Sequence, residues 1–160
     1  MIFVTIGSMF PFDRMIRAMD AWVLAEGQGE EVLAQIGAGD YEPRHMEWVR
    51  KLDRPAYGAA IRRSRLVVAH AGVGSIVTAG ENGRPIVVLP RRAHLGEHTS
   101  DHQVETVGWL REKPWVHVAD DEAALPGRIA AAIAASAAGE RMGRTADPAF
   151  IDRIRRFIAG

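Results

Sequence analysis

Val67-Val68-Ala69-His70-Ala71-Gly72-Val73-Gly74-Ser75 decides how this chain is read. A short apolar run ends at a histidine, two glycines and a serine follow, and a segment with helical spacing comes next. That is the pattern of a buried strand opening into a helix N-terminus, where unpaired N–H groups and the helix dipole favour an anion. Gly72 and Gly74 would let a phosphate approach the backbone, and His70 and Ser75 add side-chain donors at the same place. The stretch suggests a site for a diphosphate and for whatever is attached to it. Glycines at a strand–helix junction also serve close packing alone, so the stretch by itself leaves both readings open. It is not GxGxxG with an acidic residue about 20 positions on, nor a Walker loop followed by Lys-Ser/Thr. A nicotinamide dinucleotide or ATP is therefore not expected.

Working outward, short apolar runs alternate with helical spacing. Strands are predicted over residues 2–6, 32–36, 46–52, 66–69, 86–89 and 115–118. Helices are predicted to follow 9–13, where Phe12, Met15, Ile16, Met19 and Trp22 share one face, and over 55–63, 73–81 and 101–111. A last one, capped by Asp120-Asp121, runs through the Ala-rich 129–138. The pattern predicts an α/β fold, a Rossmann-like parallel sheet with helices on both faces, in one domain spanning residues 1–160. In such sheets ligands bind beyond the carboxyl ends of the strands. Gly7-Ser8, Gly37, residues 70–75 and residues 90–103 should therefore meet at one edge.

Composition narrows the functional classes. With 160 residues, 48% hydrophobic and 25% charged, the chain reads as a soluble globular protein. Twenty basic residues balance twenty acidic ones, which argues against a nucleic-acid partner. There is no cysteine, hence no disulfide framework and no thiolate metal site. The apolar N-terminus stops at Gly7 without a basic flank, too short for a signal peptide, and no stretch nears the ~20 apolar residues of a membrane span. A cytoplasmic location is expected.

Gly96-Glu97-His98-Thr99-Ser100-Asp101-His102-Gln103 is dense in hydrogen-bonding groups and follows a predicted buried strand. It suits several hydroxyls, as on a sugar, or else is a solvated loop with Asp101 as N-cap of the next helix. His94, His98 and His102 are spaced by four, but Gly96 and Thr99-Ser100 weaken the helix that would align them, so no metal is expected. Asp13 is either a base or a first-turn helix acid. Arg91 and Arg92 follow a strand, and a guanidinium there could pair with an acidic sugar. Glu81, near the end of the helix opened by Gly72, is either a ribose ligand or a solvated residue.

These motifs, in order, resemble the C-terminal, nucleotide-sugar-binding half of a family 28-like GT-B glycosyltransferase. The resemblance is carried by Phe3-Val4-Thr5-Ile6-Gly7-Ser8, Pro11-Phe12-Asp13-Arg14, Gln35-Ile36-Gly37, His70-Ala71-Gly72-Val73-Gly74-Ser75, Gly83-Arg84-Pro85, Pro90-Arg91 and Gly96-Glu97-His98 with Asp101-His102-Gln103. The chain is most similar to the small catalytic subunits of two-component enzymes. These are the bacterial exopolysaccharide type and the eukaryotic subunit that adds the second N-acetylglucosamine to dolichol-linked oligosaccharide. The resemblance implies a single half of a GT-B fold and a UDP-sugar as donor substrate, with no further cofactor. It implies that His70, Gly7, Gly72, Val73, Gly74 and Ser75 hold the diphosphate, and that Arg91, Glu97, His98, Asp101, His102 and Gln103 surround the sugar. The family's ribose carboxylate aligns with Thr78, a departure for which Glu81, one turn on, is the substitute.

The resemblance further implies a membrane-anchored partner that binds a lipid-linked saccharide acceptor and brings this chain to the inner face of the membrane. The amphipathic segment 148–158 is the candidate docking element. Transfer would be an inverting single displacement without a metal, in keeping with the absence of an Asp-x-Asp motif, with Asp13 as the base within this chain. The expected product is a glycan or polysaccharide extended by a hexose or hexuronic acid. The alternative is a non-catalytic nucleotide-sugar-binding regulatory module.

Overall fold

The computed structural model describes residues 1–137. Six strands, β1 (Ile2–Thr5), β2 (Val32–Gln35), β3 (Glu47–Val49), β4 (Leu66–His70), β5 (Ile86–Leu89) and β6 (Val116–Val118), form one sheet in the order β3-β2-β1-β4-β5-β6. Every neighbouring pair is parallel. Helices α1 (Asp13–Ala25), α2 (Arg54–Arg63), α3 (Val73–Glu81), α4 (His102–Leu110) and α5 (Leu125–Ala137) connect or follow them, with 3₁₀ turns at Ala93–Leu95 and Glu122–Ala124.

The central strands are apolar up to their carboxyl ends, where β1 closes on Thr5 and β4 on His70, because both faces of the sheet are covered. Their side chains alternate between two cores. Ile2, Val4, Leu66, Val68, Val87 and Leu89 pack with Met15, Ile16 and Met19 of α1 and with Leu125 and Ile129 of α5. Phe3, Val67, Ala69, Ile86 and Val88 pack with Ile61 of α2, Ile76 of α3 and Leu110 of α4. Full burial of one such side chain stabilises by roughly 1.5–3 kcal/mol, so the period-two alternation sets the register of each strand. Among the described residues β3 pairs only with β2, as the edge strand, and carries an exposed Glu47.

Local signals set most boundaries. Asp53 caps α2 by accepting from the Ala56 N–H at 2.8 Å, with Pro55 in the first turn. Asp121 caps the second 3₁₀ turn, which runs straight into α5, by accepting from Ala124 N–H at 3.0 Å. Asp101 departs from expectation: it precedes α4 but makes no capping bond, and instead accepts from the Ala93 N–H at 2.9 Å. Segment 148–158 lies outside the described residues.

Strand order reverses direction between β1 and β4, because the chain builds outward from β1 to β3 and then returns to lay β4 on the other side. In open parallel sheets the loops on either side of that reversal diverge and leave a crevice at the carboxyl ends. Gly7 follows β1, and His70 ends β4, so both stand at its mouth.

Candidate functional site

A cleft of about 660 Å³ occupies this crevice. It is lined from the β1 loop by Gly7, Ser8, Met9 and Phe10, and from the β4–α3 junction by His70, Gly72, Gly74, Ser75 and Thr78. His98 and Gln103 close one side; Lys51, Leu52, Arg54 and Tyr57 close the other. Among the described residues that line it there is no Asp or Glu. Its charge comes from Lys51, Arg54 and Arg91, which suits an anion.

The imidazole of His70 sits over the start of α3, and two glycines make room for it. A Cβ at Gly72 would overlap His70 Nε2, and one at Gly7 would lie 2.7 Å from His70 Cε1. Gly7 also has φ of +75°, in the left-handed region that glycine favours. The missing side chain of Gly72 thus accommodates the histidine, and Gly72 itself lines the cleft. Gly74 does leave open space, with nothing within 4 Å of a Cβ built there. Gly72 caps α3 with no side-chain bond, while the N–H groups of Ser75 and Ile76 already reach the Gly72 carbonyl. The N–H groups of Val73 and Gly74 make no such bond, and they belong to the first turn, where the helix provides no partners. Ser75 is buried and its Oγ pairs with Tyr57 Oη at 2.9 Å, so its hydroxyl is shared with α2.

His70 is neutral at physiological pH. Burial pushes its pKa down to about 4, and the nearby Arg91 and His98 charges push the same way. The Thr5 backbone counters weakly, but Nδ1 is buried without a partner in hydrogen-bonding geometry. An imidazole held neutral by burial and neighbouring positive charge is one that a bound anion would stabilise in its protonated form.

The wall formed by residues 90–103 is held differently from the sequence-based expectation. Arg91 is only 2% exposed, and its terminal nitrogens donate to four backbone carbonyls, those of Ile6, Phe10, Pro11 and Glu97. Arg91 lines the cleft, but both terminal nitrogens of its fork are engaged by backbone carbonyls. Burial pulls its pKa down to about 10, which leaves it charged at neutral pH. Glu97 is likewise internal: it pairs with Arg14 at 2.7 Å and 2.8 Å and accepts from the Arg92 N–H at 2.9 Å. The Glu97 carboxylate raises the Arg14 pKa although burial opposes it. Neither Asp101 nor His102 lines the cleft, and the His102 side chain is 69% exposed. His98 and Gln103 do line it. His98 rests edge-on against Phe10, 5.2 Å between ring centroids, and its Nδ1 accepts from the Ser100 N–H at 3.3 Å. Gln103 Oε1 accepts from the Arg91 N–H at 3.1 Å, which turns its NH₂ away from that bond as a donor.

Asp13 is engaged by a neighbouring loop. Its carboxylate accepts from the Asp40 and Tyr41 N–H groups at 3.1 Å and 3.3 Å, and it is not part of the cleft lining. It fastens the start of α1 to the loop after β2. Of the two ribose candidates, Thr78 lines the cleft and Glu81, at the far end of α3, does not. Thr78 Oγ1 donates to the Gly74 carbonyl at 2.8 Å.

Sequence reasoning missed Met9, Phe10, Lys51, Leu52, Arg54 and Tyr57, which line the cleft from loops and from α2. Only Gln35 left a trace, as a polar residue ending an apolar strand. It is buried, donates to Gly7 O at 3.2 Å and accepts from the Leu52 N–H at 2.9 Å, so it ties two cleft loops together.

Comparison with known proteins adds a family and a fold. The family model described as glycosyltransferase family 28 C-terminal domain matches residues 1–140. No curated protein matches the chain. Among solved structures, the chain is similar to the glycotransferase of kitacinnamycin, with TM-score 0.57 and 21% identity over 96% of this chain and 37% of that one. It is similar to CalG4, the calicheamicin glycosyltransferase, with TM-score 0.56 and 20% identity over 99% of this chain and 39% of that one. It also resembles the glycosyltransferase SnogD from Streptomyces nogalater, with TM-score 0.54 and 18% identity over 99% and 42%. The fold is the Rossmann-like half of a GT-B glycosyltransferase, and the chain spans about two fifths of the length of these structures.

Proposed function

The chain belongs to the glycosyltransferase family 28 C-terminal domain, and from that premise we propose that it binds the UDP-sugar donor of a glycosyl transfer and stabilises the departing UDP. The observation that carries this is the juxtaposition of His70 and the open first turn of α3 in one cleft that has no carboxylate among the described residues. As the bond to the sugar breaks, negative charge grows on the β-phosphate. The unpaired Val73 and Gly74 N–H groups, the α3 dipole and the His70 imidazole lie where that charge would develop. His98 and the Gln103 amide are the side chains available to the sugar, and Thr78 is the one available to the ribose.

Transfer is an inverting single displacement in this reading. A double displacement needs a nucleophile to hold the sugar, and the described cleft has no carboxylate to serve. The same composition supports a base contributed by the acceptor side. We assign that side to a partner subunit, membrane-anchored and carrying a lipid-linked saccharide, in exopolysaccharide or glycan assembly. The apolar rim supports a protein neighbour: Met9 is 81% exposed, Leu95 50% and Val104 43%, all on segments beyond the strand ends. Among the described residues no helix is long and apolar enough to cross a membrane, so membrane contact runs through that partner in this proposal.

The experiment is a calorimetric titration of UDP and a series of UDP-sugars into wild type and His70→Ala, followed by sugar-transfer assays with and without a membrane fraction. Tight UDP binding that falls at least about tenfold in the variant is expected, the scale of ~1.4 kcal/mol. Transfer appears only with the fraction. Unchanged transfer by His70→Ala rejects the role of His70. Binding without transfer under any condition favours a regulatory module.

A further inference from the structure

We propose that Arg91 is a positioning residue that sets the width of the donor cleft by fastening its two walls to each other. The inference rests on the donor-binding reading above but concerns a residue that reading leaves without contact to the donor.

One wall is the loop after β1, residues 6–11, which carries Gly7, Met9 and Phe10. The other is the segment after β5, which carries His98 and Gln103. Arg91 lies beneath both. Its Nη2 donates to the Ile6 and Phe10 carbonyls, each at 2.7 Å, and its Nη1 donates to Pro11 O at 2.6 Å and Glu97 O at 3.1 Å. Three bonds thus hold the first wall and one holds the second. The Arg91 main chain completes the second attachment, because its N–H orients the Gln103 amide at 3.1 Å. The guanidinium lies over the Phe12 ring, 4.7 Å from its centroid, which fixes its plane. An outer tie runs parallel: Arg14 pairs with Glu97 and also donates to Pro90 O at 3.0 Å.

A planar fork reaching four carbonyls in two loops is a task for arginine. A lysine in its place keeps the charge but has one nitrogen with three donors, and it cannot reach both walls at once. Loops lacking regular structure owe their position to such side-chain bonds, and a shift of their backbone moves every ligand contact they carry.

The test uses the full chain and compares wild type with Arg91→Lys by hydrogen exchange without ligand and by calorimetric titration with UDP. The expectation is that Arg91→Lys retains a cooperative melt and protected sheet amides, loses protection at residues 7–10 and 97–103 together, and binds UDP roughly tenfold more weakly, ~1.4 kcal/mol. If Arg91→Lys does not fold, the wild-type exchange decides: the two loops opening with one common free energy and denaturant dependence supports the clamp, and independent opening overturns it. Unchanged exchange in both loops of a folded Arg91→Lys overturns it as well. Should wild type fail to bind UDP, the donor reading fails, while the exchange comparison still decides the clamp.

Discussion

At the scale of single residues, the site depends on what is missing as much as on what is present. Gly72 and Gly74 are two positions apart and look equivalent in sequence, yet one makes room for an imidazole and the other for open cleft. Gly72→Ala should displace His70 and cost about 1–3 kcal/mol of stability as an overpacked contact. Gly74→Ala should instead stabilise α3 by up to ~1 kcal/mol while narrowing the cleft, so thermal melts and UDP titrations should move in opposite directions for this variant. A Gly74→Ala protein that binds UDP as wild type would place the phosphate elsewhere. His70 gives a second measurement. Its pKa is about 4 in the unliganded protein, below the ~6.5 of an unfolded chain. The unfolded state therefore binds the extra proton between those values, and stability falls as pH drops from about 6.5 to about 4 and then levels, by ~3 kcal/mol at most. A phosphate beside the ring favours imidazolium, so the His70 titration midpoint, followed by NMR, should rise when UDP saturates the protein. A midpoint unmoved by UDP would remove His70 from the diphosphate.

At the scale of elements, buried or half-buried acids hold loops to helices. Asp13 joins α1 to the loop after β2. Asp20, also on α1, accepts from Tyr41 Oη at 2.6 Å and from the Arg44 and His45 N–H groups. Burial works to raise the Asp20 pKa, but the Tyr41 hydroxyl and those two N–H groups together hold it below the usual carboxylate range. Asp13→Ala should lower stability by about 1–2 kcal/mol, since two loop N–H groups lose their acceptor, while sugar transfer at a temperature where the protein is folded stays near wild type. A large loss of turnover with unchanged melting would restore Asp13 as the base. Asp53→Ala removes the cap of α2 and should cost ~1 kcal/mol in a thermal melt.

At the scale of the whole molecule, a sheet buried on both faces supports a cleft at its one topological reversal. Leu89, fully buried where β5 meets α5, tests that support. Leu89→Ala should cost about 2–5 kcal/mol, read by chemical denaturation, and a cost under 1 kcal/mol would mean α5 is loosely seated. Much of this architecture was legible in the order of residues. The apolar runs at 66–69 and 86–89, the helix at 73–81 and the glycine-rich junction between them lie where read, because strand burial, helix spacing and N-terminal signals are local properties. Arg91, Glu97 and Asp13 were read as ligands or base because type and location are all that one dimension offers. Their partners lie far along the chain: Arg91 reaches back to Ile6, Phe10 and Pro11, and Glu97 to Arg14. Tyr57 and Lys51 left no local signal, since what brings them to the cleft is the packing of α2 and the loop before it beside α3. The sequence alone determined the layered α/β plan and the strand-to-helix junction at His70, which follow from short-range patterning. Which charged side chains face that turn and which hold its walls was decided only by the tertiary structure, because an arginine or a carboxylate takes its role from the partners that folding brings within hydrogen-bonding reach.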